Sequence, residues 1–302
     1  MRYLIATAIA AAATLAAPAQ GQMLDPSDPE DALEISKRLQ CGASADEPAV
    51  YHWSGNIYGR SPGQRDKLLF KGDGMNIRRC VEVNDPVRGK GWRLISREIM
   101  LMLDPETGEV VDDWTNPYTG ETVEVMQIHN DPVNGRPNFA RGADGEAFSL
   151  GTLREEGPYV FIPFEVPLFY TNALGGDYQQ YVGNQYHAME IFDFAALKSE
   201  LYDSSRPTAY PMISWVRISQ WAPWMEMGSR PGLMIFNAMG RKLPGGFEEL
   251  PDVLKNEIRE NYPIYEQAPP KDDARPNETT WTKFKQIKDA QGDRRTGGSS
   301  EH

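Results

Sequence analysis

The chain has 302 residues, 40% of them hydrophobic and 10% aromatic, and 43 acidic against 31 basic side chains give it a net charge of −12. Such an excess of negative charge repels phosphate backbones and argues against nucleic acid as a partner. No block of like charges marks an interaction tail, and the length suits one large domain or two small ones.

Met1-Arg2 precedes an apolar, alanine-rich run from Tyr3 to Ala16 that ends in Ala17-Pro18-Ala19. A positive charge, a short apolar stretch and a small-x-small ending are the pattern of a secretory signal peptide over residues 1–19. The run is shorter than the ~20 residues a membrane-crossing helix needs, and no comparable run follows, so no membrane span is expected. A periplasmic or secreted protein is the consequence. In that oxidising setting Cys41 and Cys80 are expected to form a disulfide, which would stabilise the fold by roughly 4 kcal/mol in the chain-entropy model. Two separate thiols are the alternative. Thiol catalysis is the weaker reading, since neither cysteine has a histidine nearby in sequence.

Residues 20–49 read as an N-terminal segment with a short amphipathic helix from Asp28 to Leu39, where Ala32, Ile35 and Leu39 recur at helical spacing behind an acidic first turn. From Val50 the pattern changes to strands: Tyr51 to Tyr58, Ile77 to Val83, Trp92 to Leu103, Val110 to Trp114 and Thr122 to His129. Asp104-Pro-Glu-Thr-Gly-Glu109 and Asn116-Pro-Tyr-Thr-Gly-Glu121 are near copies, each with an Asx-Pro start and a glycine for the positive φ that closes a hairpin. They predict a meander. Asn84-Asp-Pro-Val87 and Asn130-Asp-Pro-Val133 read as one loop solution at equivalent ends of a sheet, and Gly72-Asp-Gly74 as a turn. Further strands are expected at Tyr159 to Val166, Gln185 to Phe192, Met212 to Trp221 and Leu233 to Arg241, with helices at Phe194 to Tyr202 and Phe247 to Asn261.

So many strands with few helices would leave long exposed edges in one open sheet, so closure is expected, as a barrel or a two-sheet sandwich. The reading is a mainly β protein whose residues 50–265 form a large antiparallel β-barrel, a lipocalin-like meander with a few peripheral helices. Residues 266–302 are expected as an extended tail, disordered toward its end.

Trp114-Thr-Asn-Pro-Tyr-Thr-Gly-Glu121, Asn130-Asp-Pro-Val133, Pro223-Trp-Met-Glu-Met-Gly228 with Arg230-Pro-Gly232, and Asn277-Glu-Thr-Thr-Trp281 together resemble the bacterial family called domain of unknown function 1838. The resemblance spans roughly Val50 to Phe284. It implies no particular mechanism, so candidate chemistry comes from the residues themselves.

The stretch Ser214 to Gly232 is the richest. Alternation along a strand puts Ile213, Trp215, Arg217, Ser219 and Trp221 on one face, so Arg217 lies among aromatic rings. A guanidinium there needs a partner: a core carboxylate such as Glu98, Glu124 or Glu190, or a ligand's anion. Trp215, Arg217, Trp221, Trp224 and Met225 are the candidate ligand-binding residues. His52, His129 and His187 are candidate proton shuttles, with Glu226 as a carboxylate between two methionines. The histidines could meet at a metal only through the fold, for none has the spacing of a metal motif, and no metal or cofactor is expected. No nucleophile-elbow, phosphate-loop or dinucleotide signature occurs. The expected function is binding of a small hydrophobic or amphipathic molecule in an aromatic-lined barrel cavity. The alternatives are a cofactor-independent isomerase, hydratase or lyase in the same cavity, and a structural envelope protein.

Overall fold

A computed structural model describes residues 21–171, 174, 178, 181 and 185–292. The signal segment 1–19 lies outside the described residues, as does the end of the tail from 293. In chain order the elements are α1 (Pro29–Gln40), β1 (Ala49–Arg60), β2 (Lys67–Asp85), β3 (Gly89–Leu103), β4 (Asp113–Thr115), β5 (Thr122–Glu124), β6 (Ile128–Asn130), β7 (Asn138–Phe139), β8 (Arg154–Glu156) and β9 (Tyr159–Thr171). They continue with β10 (Gln185–Leu197), α2 (Lys198–Leu201), β11 (Met212–Ser219), β12 (Leu233–Lys242), α3 (Asp252–Asn261) and α4 (Thr280–Gln291).

Ten strands form one antiparallel sheet in the order β6-β3-β2-β1-β12-β11-β10-β9-β8, with β7 also beside β3; β4 and β5 make a separate hairpin. The expected closure into a barrel does not occur. The sheet stays open, with a three-residue strand at each end of its order, and the one beside β9 pairs only with Tyr159, Val160 and Phe161. β8 is three charged residues, Arg154-Glu-Glu156. β6 is also three residues, and α4 lies against it, with Thr280 N donating to Asn130 Oδ1 at 2.7 Å.

The turn chemistry forms as the sequence indicates: Gly108 and Gly120 take φ of 76° and 80° in the two Asx-Pro turns. The meander it implied is interrupted: Val110 makes an isolated bridge to Leu103, Asp113–Thr115 and Thr122–Glu124 pair as the separate hairpin, and Ile128–Asn130 returns to pair with β3. The two Asn-Asp-Pro-Val segments are not equivalent either. The first closes the tight β2–β3 hairpin, with Asp85 Oδ1 accepting from Val87 N and Arg88 N at 2.9 Å each. The second follows an edge strand through a cis Asp131–Pro132 bond and continues alongside β3, Val133 N donating to Ser96 O at 2.8 Å.

Phe194 to Leu197, expected as helix, is the end of β10. Phe192, Phe194 and Ala196 alternate toward one face and pair with β9, and this tertiary pairing overrides the local helical preference of the segment. Only Lys198–Leu201 is helical. Beyond Pro263 the extended tail is likewise replaced, first by a 3-10 turn that buries Tyr265 and then by α4, which a Thr279/Thr282 capping box starts and which buries Phe284. Gly72 and Gly74 lie inside β2 rather than in a turn.

Directly paired residues of antiparallel strands share a face, so the register sorts the sheet into two. One face carries Tyr51, Trp53, Phe70, Met100, Trp215 and Phe236 in the larger core, which the β4–β5 hairpin and the Trp221–Met227 segment cover. The other carries Met75, Ile77, Ile99 and Leu101, packed by Leu254 and Ile258 of α3 and by Tyr265. α1 is fastened at its C-terminal end. Cys41 and Cys80 stand at disulfide distance with Cα atoms 5.6 Å apart, and the buried Lys242 ammonium donates to Arg38 O at 2.9 Å, to Cys41 O and to Thr208 Oγ1 at 2.6 Å.

Candidate functional site

Four rows of paired residues cross the larger core's face. The first contains Glu98 and Asn76, opposite Tyr51 of β1. The second runs Met100, Gly74, Trp53, Gly240. The third brings Gly55, Ala238, Trp215 and Phe192 into line, and the fourth Ile57, Phe236, Arg217 and Glu190. In register, therefore, Trp53 and Trp215 lie between Glu98 at one end and the Arg217–Glu190 pair at the other. Gly74 permits this: a Cβ there would stand 3.1 Å from Trp53 Nε1 and 2.8 Å from Ile99 O. Any side chain at Gly74 would displace the indole.

Arg217 Nη1 donates to Glu190 Oε1, and both side chains keep about a fifth of their surface exposed, 21% and 19%. Of the partners weighed from sequence, the protein uses a carboxylate, and it uses Glu190; Glu124 is an exposed residue of β5. Glu98 accepts a 2.6 Å hydrogen bond from Asn130 Nδ2, and Asn130 Oδ1 in turn accepts from Thr280 N. Burial pushes the Glu98 carboxyl above the usual glutamate range, and the Glu190 charge pushes it further; the Asn130 bond and the Arg217 and Arg78 guanidinia oppose this. Tyr51 of β1 and Phe194 of β10 are three inter-strand steps apart, which a flat sheet would spread over roughly 14 Å, yet their ring centroids lie 6.1 Å apart. The face is therefore concave without closing.

Arg78 stacks its guanidinium 4.6 Å over the Tyr51 ring, donates to Asn76 Oδ1 at 2.6 Å, and bonds Gln40 Oε1. Trp53 and Trp215 touch with ring centroids 6.0 Å apart, and Trp215 also packs on Phe236 at 5.7 Å and Phe192 at 6.4 Å. Both indole Nε1 atoms are buried with no hydrogen-bond acceptor among the described residues. A buried donor left this way costs roughly 1–3 kcal/mol.

The other sequence candidates go elsewhere. Trp221 packs on Tyr118 and donates its Nε1 to Arg230 O at 3.1 Å. Trp224 is wedged against Phe70 and Trp114, and Met225 O accepts from the buried Asn116 side chain at 2.9 Å. These three build the lid of the core, and the Trp114–Glu121 motif is their seat. Glu226 is exposed, at φ 53° on the 3-10 turn, with no ion pair among the described residues. His52 bonds Asp73 Oδ1 at 2.8 Å, and its register with Met75 puts it on the opposite face. His129 bonds Gln127 O through Nδ1 at 2.7 Å and lies against Tyr262; burial, with Lys283 nearby, lowers its pKa. His187 is exposed in β10. The three histidines do not meet, and among the described residues no group of three His, Cys, Asp or Glu side chains could hold a metal. Two open hollows, of about 460 and 340 Å³, lie at the 137–148 loop and beside Ile264, away from the aromatic face.

Trp53, Arg78 and Asn130 were not singled out. Trp53 and Arg78 carry the same signal as Arg217, a bulky or charged residue at an inward position of an alternating strand. Asn130 was hidden by its place in a turn-like motif.

Fold and site define a mainly antiparallel β protein with a concave, aromatic and charged sheet face. Residues 46–288 match the family model described as protein of unknown function (DUF1838), and the chain belongs to that family. No curated protein and no solved structure matches the chain.

Proposed function

We propose that this is a periplasmic or secreted protein that binds a small hydrophobic or amphipathic molecule at the concave face around Trp53 and Trp215. One observation carries the reading: two adjacent buried indoles whose donors find no acceptor among the described residues, between a partly buried glutamate and a partly exposed ion pair. Rings supply apolar contact, and unmatched polar groups supply the few convergent contacts that orient a ligand. The Cys41–Cys80 pair fits an oxidising compartment.

An enzymatic reading draws support from Glu98 alone, because a carboxyl that holds its proton above the usual range suits a general acid. The histidine–carboxylate chemistry weighed from sequence loses its cavity, since His52 and Asp73 sit on the opposite face. The binding reading is tested by thermal denaturation of the folded protein with millimolar small aromatic and aliphatic amphiphiles. At least one class should raise the melting temperature, with the gain lost in Trp215→Ala. If no compound raises it, the reading fails.

A further inference from the structure

The α3 side of the sheet is covered over only part of its width. The strand residues of the core that α3 closes belong to β1, β2 and β3. Farther along the same face, where β10, β11, β12 and β1 run side by side, the three rows of paired residues through Met239, Val216 and Ile218 carry one charged side chain, Asp193. A quarter of the whole chain is charged. Met239, Met212 and Ile218 stand 61%, 55% and 39% exposed on this face. Large apolar side chains grouped on an uncharged surface mark a contact.

The middle row indicates what fits there. From β9 to β2 it reads Glu165, Ile191, Val216, Asn237, Asn56, Lys71. The exposed acid and the exposed base stand at equal distances on either side of the line between β11 and β12. A two-fold axis along that line, lying in the plane of contact, sets Glu165 of one copy against Lys71 of the other at both ends of the row. In the next row it sets Ile218 against Ile235. Isologous contacts require a patch that complements itself in this way, whereas an unrelated partner needs no opposite charges at matched distances. The axis also aligns the strands of the two copies, the arrangement in which sheets pack face to face. Six strands and three rows span roughly 500 Å² of plane, and the relief of the side chains brings the accessible surface toward the ~800 Å² that each side of a specific interface buries. Two chains of net charge −12 repel, and a nearly uncharged face lets them meet without stacking like charges.

We infer that two copies of this chain pair across this face, sheet against sheet, with the two-fold axis between β11 and β12 and a Glu165–Lys71 salt bridge at each end. Sedimentation of the purified protein at up to about 100 µM should give twice the monomer mass. Met239→Glu alters a side chain that is already 61% exposed, so the monomer stays folded, while the dimer should weaken about tenfold or more. Lys71→Glu opposes two acids at each end and should weaken the dimer several-fold, and adding Glu165→Lys should restore it. Zero-length carbodiimide coupling needs no variant. Within one chain Lys71 and Glu165 are five strand steps apart on the outer side of the curved sheet, roughly 24 Å, so an amide joining them reports contact between chains. A monomer throughout that concentration range overturns the inference. So does a dimer that tolerates Met239→Glu, a loss in Lys71→Glu that Glu165→Lys fails to restore, or a coupled dimer without the Lys71–Glu165 amide.

Discussion

Arg97 and Glu98 are neighbours on β3, and Asn130 and Asp131 are neighbours at the end of β6, so each pair sends one side chain to either face of the sheet. On the α3 side, Arg97 Nε donates to Asp131 Oδ1 at 2.6 Å and its Nη1 to Ile264 O and Gln267 O at 2.7 and 2.8 Å. Arg275 joins Asp131 to Asp273 with bonds of 3.1 and 2.7 Å. Carboxylates and guanidinia answer one another, and the cluster ties the C-terminal segment to the sheet. On the concave side, Asn130 answers Glu98, but the carboxyl keeps an elevated pKa and the two indoles beyond it have no acceptor among the described residues. Adjacent residues thus build a closed polar cluster on one face and an open one on the other. Buried polar groups are normally matched, so the closed cluster reads as structure and the open one as a place for something else.

The largest expected effect lies in the closed cluster. Asp131→Ala leaves Arg97 without its carboxylate at a position only 6% exposed on the acid's side. Removing one partner of a buried pair costs about 3–5 kcal/mol, and urea denaturation should show a loss of that size. A loss under about 1 kcal/mol would mean that the cluster is ornamental and would remove one side of the comparison.

Next comes Arg217→Met, which strands Glu190 at a site that water still reaches. The expected loss is smaller, about 2 kcal/mol, and the double variant Arg217→Met with Glu190→Met should recover most of it. Double-mutant denaturation measures the coupling. Should Arg217→Met cost as much as Asp131→Ala, the concave cluster is as structural as the other and the contrast collapses.

How much of this was legible in the sequence follows from what each signal measures. Alternation placed Trp215 and Arg217 on one inward face because side-chain period is a property of the strand itself. Turn residues gave the Asx-Pro hairpins for the same reason. Closure was misjudged because strand count does not say whether the first and last strands meet, and here each end of the sheet order is a three-residue strand that meets no partner beyond it. The histidines and Glu226 were attractive by residue type, yet His52 falls on the other face by one residue of register. Glu98 entered only as a possible counter-ion, since its distinctive environment depends first on burial in the fold and then on Glu190, a residue 92 positions later in the chain. Non-local approach of that kind has no local pattern.

The smallest effect is the most diagnostic for the open cluster, and it concerns Glu98→Gln. The folded state holds the Glu98 proton to a higher pH than the unfolded chain does. Between the ordinary glutamate pKa and the elevated one, the native protein therefore binds more protons, and its stability declines as pH rises through that window. Below the window the carboxyl is neutral in both states and contributes no slope. Glutamine imitates the neutral acid and keeps an oxygen for Asn130 Nδ2, so the variant should lack this decline. At about pH 8 it should be more stable than the parent, by less than either loss above, and at about pH 4 the two should nearly coincide. Urea midpoints at both pH values check the sign. A parent more stable than Glu98→Gln at the higher pH would show that the ionised carboxylate is satisfied where it stands, and the concave cluster would then be as closed as its counterpart around Asp131.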